Sequence, residues 1–480
     1  MDITQFSVFE NRCLVNGEWL SSTDTIIVTN PLDQSLITEV PVLAEEVIEQ
    51  AIVDADLAQK QWKNVAPNER SRLLRNWFDL LMQYQDELAT IMTVEQGKPL
   101  KEAKGEIAYA ASYIEWFSEE AKRGYGDIIP APTNTEILVF KEAVGVCAAI
   151  TPWNFPAAMI TRKVAPALAA GCSILVKPAS ETPLTALAIA KLAEQAGFPK
   201  GVFNVITGSS TKIGQIFTSH PLVKKLSFTG STEIGAKLMA QSAPTVKKLS
   251  LELGGNAPVL VFNSANLDQA VQGVMDTKFR NAGQTCVCAN RIYVQSEIYD
   301  AFVEKLKDKV EQLKVGNGLE ADTDIGPLIN HKAIRKVEEH IADALSKGAT
   351  LVTGKTENTN GNWCVPTLVK DVTQEMLCAK EETFGPFAPI FKFETEQEVI
   401  AMSNDTEFGL ASYVFTQDIN QFIRVSRNLE YGMVGVNTGL ISNAAAPFGG
   451  VKSSGIGREG SKYGMDEYLE IKYVCLGNIK

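Results

Sequence analysis

Residues 43–122 place apolar side chains at helical spacing. Val47, Ala51, Ala55 and Ala58 form one stripe within 45–62. Leu and Met recur at three- and four-residue steps through 70–92, and 102–122 continues the period. The period stops near Gly124, where Gly-Asp-Ile-Ile-Pro-Ala-Pro (126–132) punctuates the chain, and extended runs are predicted at 136–140 and 144–150. From there strands predicted at 173–177, 202–206, 225–228 and 247–253 alternate with helices at 183–196, 212–218 and 232–241. After Cys288 strands are predicted at 291–294, 350–352, 390–393 and 431–436, with helices at 299–313 and 331–347. Short apolar strands separated by helices mark βαβ units. The predicted fold is α/β, with two Rossmann-like domains in series and a boundary near Gly254–Gly255. The last segment, 468–475, alternates as a half-exposed strand that can pair with 136–150 or with a neighbouring subunit.

Composition narrows the function. A chain of 480 residues is too long for one core and implies two or three domains. Lys and Arg number 45 against 57 Asp and Glu, a net charge of −12, with no basic run to track a phosphate backbone. Nucleic acid and anionic membrane are therefore disfavoured as partners. The eight cysteines are irregularly spaced without a Cys-x-x-Cys pair, which argues against a disulfide framework or a zinc site. Residues 1–10 lack the basic start and apolar stretch of a signal peptide. The apolar run 143–150 falls far short of the ~20 residues a membrane span needs. The expectation is a reduced, cytoplasmic protein with no metal.

The most reactive-looking segment is Gly-Gln-Thr-Cys-Val-Cys (283–288). The three histidines, His220, His331 and His340, stand in no catalytic pattern, so a nucleophilic Cys286 would need a carboxylate as its base. Glu252, at the end of a predicted strand in Leu-Glu-Leu-Gly-Gly (251–255), is the candidate. Either cysteine could equally be an inert core thiol. Leu-Ser-Phe-Thr-Gly-Ser-Thr-Glu-Ile-Gly (226–235) reads as strand, glycine turn and helix start. It suits a phosphate or a plain capped turn, and it is neither a Gly-x-Gly-x-x-Gly fingerprint nor a P-loop. The segment 208–214 is a weaker copy. Lys177 closes a strand, where it is an anion or ribose contact or a solvated charge. Asn154 sits between two prolines in Thr-Pro-Trp-Asn-Phe-Pro (151–156), either a preorganised oxyanion donor or a structural turn.

Together with Lys-Pro-Ala-Ser (177–180), Glu-Glu-Thr-Phe-Gly-Pro (381–386) and Pro-Phe-Gly-Gly-Val-Lys-Ser-Ser-Gly (447–455), these segments resemble the aldehyde dehydrogenase superfamily over nearly the whole chain. The resemblance implies residues 1–123 and 143–254 as a dinucleotide-binding domain and 255–454 as a catalytic domain. It implies 124–142 with 455–480 as an oligomerisation arm that makes a homodimer or homotetramer. Carried over residue by residue, Cys286 matches the nucleophile, Glu252 the general base and Asn154 the oxyanion-stabilising amide. Trp153, Lys177, Ser180, Gly208, Gly230, Ser231, Glu382 and Phe384 match cofactor contacts.

Within that superfamily the chain looks most like the succinate-semialdehyde dehydrogenases. That likeness implies that Arg162, Arg280 and Ser442 hold the substrate's distal carboxylate, and that Cys288 can pair with Cys286 under oxidation. On an extended strand such a pair would lie at the limit of disulfide geometry. Glutarate semialdehyde, one methylene longer, is the alternative substrate. Ser180, where relatives that prefer NAD often carry Glu, favours NADP with NAD also used. Two rivals stand outside this reading: a cofactor-independent cysteine acyl hydrolase using Cys286 and Glu252, and a catalytically silent structural relative.

Overall fold

The computed structural model describes residues 2–356 and 361–478. The first sheet has eight strands. Its five central ones are parallel, in the order Phe203–Val205, Ser173–Lys177, Val146–Ile150, Val223–Thr229, Lys248–Glu252. Cys13–Val15 and Glu18–Leu20 add an antiparallel edge on one side and Gly455–Ile456 on the other. The first βα connection carries the chain from Val146–Ile150 to one neighbour, and the strand on the opposite side is Val223–Thr229. The order in which the chain adds strands thus reverses between those two parallel strands. A crevice forms at such a switch point, outside the carboxyl ends of the strands.

The second sheet has seven strands in the order Thr350–Thr353, Thr367–Val372, Phe387–Phe393, Ala289–Gln295, Ala257–Val261, Ala411–Phe415, Met433–Val436, parallel except for the first. The chain passes from the first sheet to the second between Lys248–Glu252 and Ala257–Val261. Ala257–Val261 and Ala411–Phe415 escaped the sequence pattern although both lie inside the sheet, paired on both sides. Each is five residues long and buried throughout, so neither alternates. The helix Ala158–Ala170 was missed for the same reason: every one of its residues is buried, which leaves no polar face to set a period.

Leu469–Gly477 pairs antiparallel with Thr135–Ala143 along all nine of its residues, and Asp127–Ile129 completes a three-stranded sheet. The expected arm segment 455–480 is therefore divided. Gly455–Ile456 edges the first sheet, and the helix Ser461–Asp466 packs on the helices Leu100–Glu120 and Ala158–Ala170. Only from Leu469 onward does the chain join the arm sheet. Among the described residues no helix is long and apolar enough to cross a membrane.

Candidate active site

The crevice is built from the carboxyl ends of first-sheet strands. Pro152, Trp153 and Asn154 follow Val146–Ile150; Thr229, Gly230 and Ser231 end and follow Val223–Thr229; Leu253 and Gly254 follow Lys248–Glu252. Facing them are Cys286, Glu382 and Phe384, which stand just before the second-sheet strands Ala289–Gln295 and Phe387–Phe393. These eleven residues enclose a cavity of about 230 Å³. Trp153 and Phe384 meet edge to face with ring centroids 5.6 Å apart. Seven expected site residues are thus brought to one cavity: Trp153, Asn154, Gly230, Ser231, Cys286, Glu382 and Phe384.

Cys286 reaches it on a tightly wound loop. Asn281, Ala282 and Gly283 are consecutively left-handed, with φ of 51°, 54° and 74°. At Gly283 a Cβ would stand 2.2 Å from the Gly385 carbonyl oxygen, so only glycine fits where the two loops cross. The loop then turns rather than running extended, because Cys288 N donates to Thr285 O at 3.0 Å. This corrects the expectation of an extended 286–288 pair. Cys286 lines the cavity, whereas the buried Cys288 thiol accepts from Lys278 Nζ at 3.4 Å, and both are free thiols. Burial pushes the Cys286 thiol up to about 12, against the opposing charges of Arg162 and Arg280.

Asn154 is oriented by two bonds of its own side chain. Its Nδ2 donates to Gln284 O at 3.1 Å and its Oδ1 accepts from Phe155 N at 3.1 Å. One amide N–H therefore ties Asn154 to the Cys286 loop, and the second remains for a ligand.

Glu252 lies one residue behind the cavity wall. It is buried, and neither carboxylate oxygen has a hydrogen-bond partner among the described residues. Burial first, and the neighbouring Glu459 second, raise its pKa well above the ordinary carboxylate range. Glu382 is raised to about 8 by burial, although it accepts from Gly255 N at 3.3 Å.

A dinucleotide fits the first-sheet side. Ser231 caps the helix Thr232–Ser242, whose N-terminal N–H groups open at the cavity. At Gly230 a Cβ would approach the Phe228 ring to 2.4 Å, so the turn stays bare enough for close approach. Gly208 and Lys177 lie outside this cavity but on the same strand-end surface. Lys177 Nζ donates to Ser210 Oγ at 2.7 Å and Ser180 Oγ at 3.4 Å, and burial lowers its pKa to about 8. Among the described residues no cluster of His, Cys, Asp and Glu is arranged to hold a metal.

Of the expected carboxylate ligands, Arg162 and Arg280 both act electrostatically on Cys286, whereas Ser442 stands apart. Arg162, on the buried helix Ala158–Ala170, is fully buried and ion-paired with Glu459, and its guanidinium lies 4.5 Å from the Phe448 ring centroid. Arg280 stacks over Phe155 at 5.4 Å. Arg162 Nη2 and Arg280 Nε are buried without a hydrogen-bond partner. Ser442 does not line the Cys286 cavity. It borders a separate groove with Tyr109, Ser112, Trp116 and Asn443. Lys163 and Glu459 are site neighbours the sequence reading missed; Lys163 Nζ also pairs with Glu459, 296 positions away. Two adjacent cations within an otherwise apolar run were the available signal, since such charges need a buried counter-charge.

The aldehyde dehydrogenase family's sequence model matches residues 19–474. The glutarate-semialdehyde dehydrogenase of Pseudomonas aeruginosa is 58% identical over 483 residues, covering 100% of both chains. The NADP(+) succinate-semialdehyde dehydrogenase of Escherichia coli (strain K12) is 57% identical over 481 residues, covering 99% of this chain and 100% of that one. A crystal structure of aldehyde dehydrogenase from Brucella melitensis biovar abortus 2308 superposes with a TM-score of 0.99 at 58% identity, covering 100% of both chains.

Proposed function

Because the chain belongs to the aldehyde dehydrogenase family, with its NAD(P)-dependent, cysteine-based oxidation of aldehydes, we propose that it converts succinate semialdehyde to succinate with NADP preferred over NAD. The observation that carries this reading is the meeting of Cys286 and Asn154 with the Gly230–Ser231 turn in one cavity at the sheet's switch point.

Burial keeps the Cys286 thiol protonated, so the thiol gives its proton to solvent water in the cavity as the sulfur attacks the aldehyde carbon, forming a C–S bond while the carbonyl oxygen gains negative charge. The free N–H of the Asn154 amide and the Cys286 main-chain N–H receive that charge. A nicotinamide held beside Trp153, Glu382 and Phe384 would supply the acceptor for the hydride of the tetrahedral carbon, and Cys286 would then carry the acyl group as a thioester. Glu252 then takes a proton from water, the water oxygen bonds to the thioester carbon, and the C–S bond breaks to release the acid and Cys286. A carboxylate serves as base near neutral pH when its pKa is raised, as burial arranges for Glu252.

The substrate's distal charge is read from the arginines. Buried guanidinium N–H groups without acceptors call for one, and a carboxylate matches their geometry. Arg162 keeps one edge on Glu459 and offers Nη2; Arg280 offers Nε. Glutarate semialdehyde is the second reading, supported by the Pseudomonas aeruginosa relative. The NADP preference rests on Lys177, Ser180 and Ser210, three donors gathered where a 2′-phosphate would restore the charge of a lysine that burial weakens. The arm sheet exposes Ile471 and Tyr473 on its terminal edge strand, which suits pairing with a second copy in a dimer or tetramer.

Cys286→Ala tests the assignment. Aldehyde oxidation should fall by ~10³-fold or more while dinucleotide binding persists. Oxidation at near-parental rate would overturn it.

A further inference from the structure

Behind the Asn154 turn lies a buried ion pair that the chemistry above leaves unused. Lys98 follows the helix Gln85–Gln96, and Glu106 lies in the helix Leu100–Glu120; both side chains are 1% exposed. Lys98 Nζ pairs with Glu106 Oε2 and donates to the main-chain oxygen of Asn154 at 2.8 Å. It also stands 4.1 Å from the centroid of the Phe155 ring. The other carboxylate oxygen, Glu106 Oε1, accepts from Ala157 N at 2.9 Å and Ala158 N at 3.3 Å. Those N–H groups open the helix Ala158–Ala170, so Glu106 acts as its cap from another helix. Asn281 Nδ2, from the Cys286 loop, reaches the same Asn154 carbonyl at 2.9 Å.

We propose that Lys98 and Glu106 are positioning residues that set the direction of the Asn154 amide toward the reacting oxygen. The inference rests on Asn154 being the oxyanion donor. An oxyanion donor works only if it is aimed before the charge develops, and the aim of a short side chain follows its own peptide. Prolines at 152 and 156 limit φ at their own positions and leave the rotation of the Asn154–Phe155 peptide plane open. Lys98 and Asn281 grip the oxygen of that plane while Glu106 grips the N–H groups that follow it. The oxygen of the plane is therefore held, and the helix start that follows it is anchored, by side chains that do not line the Cys286 cavity. Burying a lysine and a carboxylate is costly, and an apolar pair of similar volume would pack without that cost. What the charged pair adds is directed hydrogen bonds to this one stretch of main chain.

The test is a double-mutant cycle on the full-length protein with four forms: parent, Asn154→Ala, Lys98→Met with Glu106→Gln, and all three substitutions together. Methionine fills the lysine's volume, and glutamine keeps an acceptor for Ala157 and Ala158, so neither member of the pair is left as a charge without its partner. The rate of the first turnover with succinate semialdehyde and the dissociation constant for NADP are measured on each. Asn154→Ala should slow the first turnover about 100-fold or more. The Lys98/Glu106 form should slow it by at least about 10-fold, with cofactor affinity unchanged. The triple form should be within about twofold of Asn154→Ala, because residues acting through one group do not add. Parental rate in the Lys98/Glu106 form, a multiplied loss in the triple form, or loss of cofactor binding would each overturn the proposal alone. Parental rate in Asn154→Ala would instead overturn the reading of Asn154, and this inference with it.

Discussion

The side-chain amide of Asn154 donates to the main-chain carbonyl of Gln284 at 3.1 Å. That bond joins the turn after a first-sheet strand to the loop that carries Cys286 in front of the second sheet. The two groups proposed to act on the same carbonyl carbon and oxygen are thus tied together across two sheets, by this bond and by Asn281 Nδ2 donating to Asn154 O at 2.9 Å. Their relative position is fixed before any substrate arrives, which is what lowers the cost of reaching the transition state.

Glu252 should set the pH dependence of turnover. As a base it works only when deprotonated, and its raised pKa means that the active fraction is small in the ordinary carboxylate range and grows as pH rises. Steady-state kcat should therefore climb with pH well above the usual carboxylate titration. Glu252→Gln should give about one reduced cofactor per subunit and then stall, since acylation survives and hydrolysis does not. Steady turnover in that variant, or a parental kcat already flat from pH 5, would assign the water activation elsewhere.

The two arginines should separate. Arg280→Ala should raise KM for succinate semialdehyde tens-fold or more, since truncating one partner of a buried charge pair costs roughly 2–5 kcal/mol, with little change in melting temperature. Arg162→Ala should raise KM similarly and also lower the melting temperature, because it leaves Glu459 with Lys163 as its remaining ion-pair partner. Equal KM effects on butanal, which has no distal charge, would make both arginines structural.

Truncation should expose the role of the arm. Ile471 and Tyr473 are 73% and 61% exposed on an edge strand, a surface open to pairing with another chain. The parent protein should scatter light as a dimer or tetramer, and removal of residues 469–480 should yield monomer or aggregate with lost activity. A monomeric parent, or a truncated form that stays oligomeric and active, would contradict this.

Local chemistry was legible in the sequence; long-range pairing was not. Cys286, Asn154, Gly230, Glu382 and Phe384 sit in short motifs whose glycines and prolines declare a turn, and the structure brings all five to one cavity. Arg162 looked like one half of a clamp, yet its ion-pair partner is Glu459, far away in the chain and in a Gly-Arg-Glu-Gly stretch with no period. Lys98 and Glu106 drew no reading from the sequence, because nothing in the local sequence says that both become buried. Ser442 followed the resemblance, and the structure sets it on the groove beside Tyr109 and Trp116 rather than in the Cys286 cavity. Strands buried on both faces, such as Ala257–Val261, carry no alternation to detect.

The most direct test of the account is kcat/KM for succinate semialdehyde and for butanal, each measured with NADP, with NAD and with no cofactor. The account predicts reduced-cofactor formation that requires the aldehyde. It also predicts a preference for the semialdehyde over butanal of at least tens-fold, and a higher value with NADP than with NAD. Cofactor-independent ester hydrolysis with no cofactor reduction from either aldehyde, or equal efficiency on the two aldehydes, would contradict it.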